Sequence, residues 1–473
     1  MDQKYKYLGK NTIIFAISSF GTKVLSFLLV PLYTAVLTTA EYGIADLITT
    51  TATLLVFILT LNIASSVLRF TIEQRSSGRS VLSFGFRVLL IGTLFCMMIL
   101  GLIYYTNWLD WPVYYYAFMT LYFFATALYE MMTNYLRAVD KVKEVAIAGI
   151  MSSFLIILCN IFLLLVIKTG IIGYLISIVL GPLFASIYCM IVAGEPITTY
   201  ILVDCDKDTQ KAMLTYCVPL IFNNIALWVN AFLDRYFVTY FCGVSENGIY
   251  SVAGKIPTIL STCYSVFASA WTLSAITEFD PEDKDGFFSN TYNIYGALMT
   301  MVCSAIVLMN IPLAHFLYSN EFFNAWRYSS ILLLSVMFNT LTVFQGSIFT
   351  AAKKTKDIAM TTIISAVVNT ILNILLIPVI GALGAAIATA FAYFAMFWTR
   401  YIASKKFISM KVNIKRDILI YLVLVFQIIL EHLNDHFYLG QVGCFLLIII
   451  LNKKYLKTII LVFKRKVIDE KFK

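Results

Sequence analysis

The sequence predicts an all-α polytopic membrane protein of about fourteen transmembrane helices: two six-helix bundles followed by two additional helices. Three observations lead there. Hydrophobic residues fill 60% of the 473 positions and charged residues only 13%, far from the roughly 45–50% and 25% of a soluble domain. The apolar residues gather in runs long enough to span a bilayer, since fourteen runs of about 20 residues need only about 280 of the chain. Lysine and arginine fall almost entirely in alternate loops between those runs.

The runs lie near 11–36, 44–68, 86–106, 112–136, 145–167, 171–193, 213–241, 249–275, 288–317, 324–350, 358–379, 383–403, 417–433 and 439–463. The first follows Lys4, Lys6 and Lys10 and continues to about Leu37 with no small-residue cleavage site. It is too long for a signal-peptide core and is read as a span. Of the 35 lysines and arginines, thirty lie on one side of the membrane in this scheme. Cytoplasmic loops carry that excess, so both termini are expected in the cytoplasm. The net charge of +9 therefore reports topology. With no basic surface on a folded domain, nucleic acid is not an expected partner. The nine cysteines form no CxxC pair and read as small packing residues.

Two segments recur. Thr39-Ala-Glu41-Tyr-Gly43-Ile44 returns as Val244-Ser-Glu246-Asn-Gly248-Ile249, 205 residues later. The stretch Ala138 to Ala146 returns as Ala351 to Ala359, and each copy is followed by an asparagine (Asn160, Asn373) and a G-x-x-G (Gly170 and Gly173, Gly381 and Gly384). Two matches at similar offsets indicate duplicated six-span halves, 1–200 and 201–410, with 411–473 adding two helices and a basic cytoplasmic tail. Six is even, so both halves enter from the same side. The pseudo-two-fold axis is then expected along the membrane normal, with a cavity between the halves. The glycines also serve close helix approach and tight turns, and no strand precedes Gly381 to make a phosphate cradle.

Ionisable residues at membrane depth are the candidates for function, because each costs at least about 2.5–3.5 kcal/mol there unless it faces protein or water. Lys23 lies roughly 18 Å into the first span at 1.5 Å per residue. Thr12, Ser19, Lys23 and Ser26 share one helical face, read as cavity lining. The alternative for Lys23 is a buried structural pair with Asp46 or Glu130. Ser251, Lys255, Thr258, Thr262, Ser265 and Ser269 repeat that stripe in the eighth span, and Asn223, Asn230 and Asp234 align in the seventh. Arg235 and Lys255 are near enough to a membrane face to snorkel instead, and Asp234 could simply pair with Arg235. If Lys23, Arg235 and Lys255 share a cavity, they present three cations to an anionic ligand, and arginine suits phosphate. Ser19, Ser26, Asn230 and Thr258 would line the same site. Asp46, Glu130 and Asp234 are the available partners for a coupling proton or Na+.

Other signals are weaker. His432 and His436, near Glu431 and Asp435, have i, i+4 spacing but read as a polar loop, so no metal site is assigned. There is no HExxH, P-loop or nucleophile elbow, so neither a cofactor nor enzymatic chemistry is expected. Glu278, Asp280, Glu282, Asp283 and Asp285 read as a solvated loop.

With these residues in view, the chain resembles the polysaccharide transporter branch of the multidrug/oligosaccharidyl-lipid/polysaccharide exporter superfamily, the flippases of O-antigen and capsule repeat units of the Wzx type. The resemblance is carried by Phe20-Gly-Thr-Lys23 through Pro31-Leu-Tyr-Thr34, Glu41-Tyr-Gly43, Asp234-Arg235, Gly248 through Lys255-Ile256, and Asn369 through Asn373, Pro378, Gly381 and Gly384. It covers the first twelve spans. It implies two six-helix bundles, alternating access, and export of an undecaprenyl-pyrophosphate-linked oligosaccharide from inner to outer leaflet of a bacterial cytoplasmic membrane, alongside polysaccharide polymerase and glycosyltransferases. By the same analogy, Lys23 and Lys255 would meet the pyrophosphate or an acidic sugar. The extra helices look like those of longer members, including the lipid II flippases. The alternative is a multidrug or metabolite cation antiporter of the same fold, whose cavity would favour carboxylates over lysines.

Overall fold

The computed structural model describes residues 21, 23, 27–73, 78–108, 110–196, 198–433 and 438–457. Within them the chain is helical, and nine helices are long and apolar enough to cross a membrane. The protein is a multi-pass membrane protein. The expected fourteen runs correspond to more than these nine because several helices are shorter or less apolar. The first expected span and the basic tail after Lys457 lie largely outside the described residues, as do Ser19, Ser26 and His436.

Two compact units divide the chain, Met1–Tyr236 and Phe237–Lys473. The first contains α1 (Val30–Val36), α2 (Thr39–Leu59), α3 (Ile63–Glu73), α4 (Gly78–Tyr105), α5 (Val113–Ala138), α6 (Val142–Asn160), α7 (Ile171–Ala193), a single turn α8 (Thr199–Leu202) and most of α9 (Lys207–Cys242). Its centre is α5, which packs on α2, α3, α4 and α7. Six tyrosines, Glu130 and Arg137 make α5 less apolar than α2, α4 and α7. It compensates by burying Phe123, Leu128, Met131 and Leu136, so packing rather than lipid solvates it.

The Thr38 to Glu41 segment closes a reciprocal cap on α2. The Glu41 backbone N–H donates to Thr38 Oγ1 at 3.2 Å, and the Thr38 backbone N–H donates to Glu41 Oε2 at 2.9 Å, which satisfies two donors at the helix start. The expected second span then breaks. Leu61 and Asn62 both take φ of 52°, and the chain restarts as α3.

The second unit holds α10 (Val244–Ala253), α11 (Pro257–Thr277), α12 (Phe287–Leu308), α13 (Asn310–Leu317), a 3₁₀ turn (Asn320–Ala325), α14 (Trp326–Ala351), α15 (Thr355–Ile380), α16 (Ala382–Ser404), α17 (Ile414–Leu433) and α18 (Tyr438–Leu451). Here α14 is central, packing chiefly on α11 and α16. The last two helices attach through polar pairs. Ser304 donates to Gln427 Oε1 at 2.6 Å, Asn310 Nδ2 to Glu431 Oε1 at 2.7 Å, and Asn452 Nδ2 to Thr300 Oγ1 at 3.5 Å.

The repeat read from the sequence reappears as repeated backbone. Asp140 and Lys353 have φ of 63° and 58°, and each turn closes through Lys141 N–H to Leu136 O and Lys354 N–H to Phe349 O, both at 2.8 Å. Gly170 (φ 57°, ψ −137°) starts α7 and Gly381 (φ 62°, ψ −149°) starts α16. Only glycine occupies that region without strain, which is why both copies keep it. Asn160 and Asn373 are both fully buried. Asn160 Nδ2 donates to Tyr33 Oη at 3.2 Å and Asn373 Nδ2 to Asn369 Oδ1 at 2.9 Å.

Candidate functional site

In the first unit, α2 and α9 meet along a polar seam. Every fourth residue of α9 returns to the same face, so Phe232 and Tyr236 both meet Trp228 in tilted contacts, with ring centroids 6.1 and 5.6 Å away. Trp228 Nε1 donates to the Thr50 carbonyl at 3.0 Å, and Tyr236 Oη lies 2.6 Å from Thr51 Oγ1. One turn before Thr50 on α2, Asp46 Oδ1 forms an ion pair with the Arg235 guanidinium, which sits over the Phe232 ring at 4.9 Å. Side-chain exposure is 10% for Asp46 and 19% for Arg235. The pair is thus sheltered, where Coulomb attraction is stronger than in water. Asp46 Oδ2 is buried and has no hydrogen-bond partner among the described residues.

This arrangement bears on several sequence expectations. Asp46, considered as a partner for Lys23, is taken by Arg235. Arg235 enters the site as half of an ion pair, with Asp234 Oδ1 accepting its backbone N–H at 2.9 Å. Asn230 is buried and donates to the Ala226 carbonyl at 3.1 Å. Lys23 is half-buried. Glu130 is half-buried on α5, and no described residue forms an ion pair with it.

In the second unit the structure places Lys255 at a break. The eighth expected span is two helices, α10 and α11, separated by the turn Gly254-Lys255-Ile256. Pro257 opens α11 because its missing N–H costs nothing at a helix start. The Lys255 carbonyl, released from helical pairing, accepts from the Thr258 N–H at 3.1 Å and from Thr258 Oγ1 at 2.5 Å. Thr258 thus secures the turn. The Lys255 side chain is half-buried, and among the described residues its ammonium makes no ion pair or hydrogen bond. Ser251 and Thr262, expected on one stripe with Lys255, lie on opposite sides of this break.

Sequence reading missed one charged residue. Arg400, near the end of the expected run 383–403, is 5% exposed on α16. Its guanidinium donates to Thr361 Oγ1 at 3.1 Å, the Thr342 carbonyl at 2.8 Å and Thr362 Oγ1 at 3.0 Å. Among the described residues no carboxylate pairs with it. The adjacent threonines on α15 were the available signal.

Two cavities accompany these groups. A polar cleft of about 420 Å³ in the first unit is lined by Arg79, Tyr135, Asp140 and Glu195, with Arg79 and Glu195 paired at 2.6 Å. An apolar groove of about 410 Å³ in the second unit runs between α14, α16 and α17, lined by Phe338, Phe391, Phe394, Trp398, Leu422 and Val425. In the acidic loop, Asp283 receives the N–H groups of Phe288 and Ser289, each at 2.9 Å, and so caps α12. The Lys284 and Glu282 N–H groups hold the Asp280 carboxyl below its usual pKa. No group of three or more metal-binding side chains occurs among the described residues.

Residues 8–273 match the model of the family described as "Polysaccharide biosynthesis protein". No protein of curated function matches the chain by sequence. The fold is similar to that of the lipid II flippase MurJ in an inward closed conformation, with TM-score 0.69, 15% identity, and coverage of 96% of this chain and 100% of that one. An inward-facing multidrug resistance transporter of the multidrug/oligosaccharidyl-lipid/polysaccharide superfamily aligns with TM-score 0.64 and 14% identity, over 83% of this chain and 99% of its own. A superfamily transporter from Pyrococcus furiosus, described as having a binding pocket of reverse polarity that suggests a different function, aligns with TM-score 0.55 and 12% identity over 85% and 96%.

Proposed function

The chain belongs to the polysaccharide biosynthesis protein family, and from that premise we propose that it is a flippase for a lipid-linked oligosaccharide. In this reading an undecaprenyl-pyrophosphate-linked repeat unit of a cell-surface polysaccharide, such as O-antigen or capsule, moves from inner to outer leaflet of the bacterial cytoplasmic membrane by alternating access. The observation that carries the proposal is Lys255, an ammonium with no described partner at the break between α10 and α11. A broken helix exposes backbone polar groups only where protein or water receives them, and a lysine there suits an anionic headgroup. Lys23 and Arg235 would add to the same cationic character, with Ser19, Ser26, Asn230 and Thr258 as polar lining. The apolar groove of the second unit suits a polyprenyl tail by its lack of polar groups.

The Asp46–Arg235 pair offers a coupling device. With Asp46 ionised, Arg235 is neutralised. A proton or Na+ on Asp46 would release the guanidinium to the pyrophosphate, and Glu130 and Asp234 are further carboxylates able to take part. No covalent step is required. A multidrug cation antiporter of the same fold would need the opposite sign at Lys255, and the Pyrococcus furiosus transporter illustrates that pocket polarity varies within this fold.

The test is a leaflet assay. Deleting the gene should leave lipid-linked repeat units on the cytoplasmic face, inaccessible to an external label, and wild type but not Lys255→Ala should clear them. Normal clearance by Lys255→Ala, or a deletion that changes only sensitivity to cationic drugs, would overturn the reading.

A further inference from the structure

The apolar groove between α14, α16 and α17 has a charged end. It runs from Ile387 to Trp398 on α16 and from Ile418 to Ile429 on α17. A smaller void, lined by Trp398, Tyr401, Ile414 and Ile418 among others, continues it toward the loop that joins the two helices. Two exposed lysines flank that end. Lys405 reaches back along α16, its Nζ 4.7 Å from the centre of the Tyr401 ring, and Lys415 stands one turn before Ile418 on the same face of α17. No described carboxylate forms an ion pair with either lysine. Asp417, at the same end, is buried and held by Arg416 Nη2 at 2.6 Å. Lys411 is tied elsewhere by its backbone, since its N–H donates to Ser289 Oγ at 2.7 Å beside Asp283.

Trp398 and Tyr401 mark the depth of this end, because tryptophan and tyrosine gather where hydrocarbon meets headgroups. The two lysines then lie at headgroup level. The hydrocarbon core is about 30 Å thick, so an acyl chain one leaflet deep covers about 15 Å, or about ten residues of helix. Rooted beside Lys415, such a chain ends level with Val425, inside the groove. The chain alone selects nothing, since any lipid tail is as apolar as the groove wall. Selection falls to the headgroup. Each lysine at the membrane surface favours a negative one by about fivefold, and the side that carries the basic loops is the side where anionic lipids gather.

We infer that the groove is a binding site for an anionic phospholipid of the cytoplasmic leaflet, with one acyl chain in the groove and the phosphate on Lys405 and Lys415. The inference goes beyond the flippase reading and does not rest on it. Where that reading holds, a polyprenyl tail entering the groove displaces this resident lipid.

The experiment uses the purified full chain in detergent, freed of co-purified lipid, and measures lipid binding by native mass spectrometry. Dioleoylphosphatidylglycerol and dioleoylphosphatidylcholine carry the same chains and differ in charge. Wild type should bind the first at least about tenfold more tightly, and Lys405→Gln with Lys415→Gln should bring the two lipids to within about twofold of each other. The control, Lys353→Gln with Lys356→Gln, removes equal charge around the start of α15 and should keep the preference. All four lysines are exposed, so these variants should fold. Val425→Trp fills the groove from a lipid-facing position and should weaken both lipids. Equal binding of the two lipids by wild type, the same loss in the control pair, or undiminished phosphatidylglycerol binding by Val425→Trp would each overturn the site. Binding of undecaprenyl phosphate alone, with the same dependence on Lys405 and Lys415, would give the groove to the polyprenyl chain and overturn the phospholipid.

Discussion

Arg235 forms its ion pair with Asp46, 189 positions earlier in the chain, and so joins α9 to α2. Removing one partner of a sheltered pair strands the other, at a cost of about 3 kcal/mol, the low end of the buried range because Arg235 keeps some exposure. Asp46→Asn and Arg235→Gln should each lower the thermal midpoint in detergent. The double variant should recover most of the loss, and a simple sum of the two single effects would show that the pair is not coupled.

Gly170 and Gly381 occupy the same positive-φ conformation at the start of α7 and α16. Alanine at either should cost about 1–3 kcal/mol. Gly101 is the control. It lies inside α4 with nothing near its absent side chain, so Gly101→Ala should be neutral or stabilise by about 0.5–1 kcal/mol. Equal effects at the three positions, measured by thermal unfolding, would contradict the conformational argument.

Asp206 stands before α9, and its carboxylate accepts the Thr209 backbone N–H at 2.8 Å. The Thr209 hydroxyl and N–H groups hold it below its ordinary 3.8. A depressed native pKa contributes stability that is complete above the unfolded value and disappears as pH falls through the native one. Asp206→Asn should therefore be less stable than wild type near neutrality, and the gap should close as the pH falls below about 4. Thermal midpoints of the two proteins across that range would show the convergence, and a gap independent of pH would remove the carboxylate from the account.

Much of this was legible in the sequence. Apolar runs and basic loops gave the helical membrane class, and a nine-residue repeat foretold turns that match to within about 0.1 Å in three hydrogen bonds. The breaks were not legible. Thr60-Leu61-Asn62 interrupts an apolar stretch without glycine or proline, so its composition matches that of a continuous helix. Glycine and proline do flank Lys255, but in a membrane helix they signal a kink, a close contact or a break alike. The Asp46–Arg235 pair depends on how α2 packs against α9, which no local pattern encodes. Arg400 was misread because a basic residue near a span end ordinarily marks a loop, whereas here Thr361 and Thr362 receive it.

The interruption at Gly254-Lys255-Ile256 also matters for how the chain enters the bilayer. A ten-residue α10 cannot reach across the hydrocarbon, and α11 is not among the helices apolar enough to cross unaided. Neither presents the translocon with a strong stop signal. α11 packs chiefly on α14, and α10 on the 3₁₀ turn Asn320–Ala325 and α14, all of which leave the ribosome later. Biogenesis of the second half is therefore not a left-to-right threading. Its first helices must wait near the translocon until a helix made afterwards gives them something to hold.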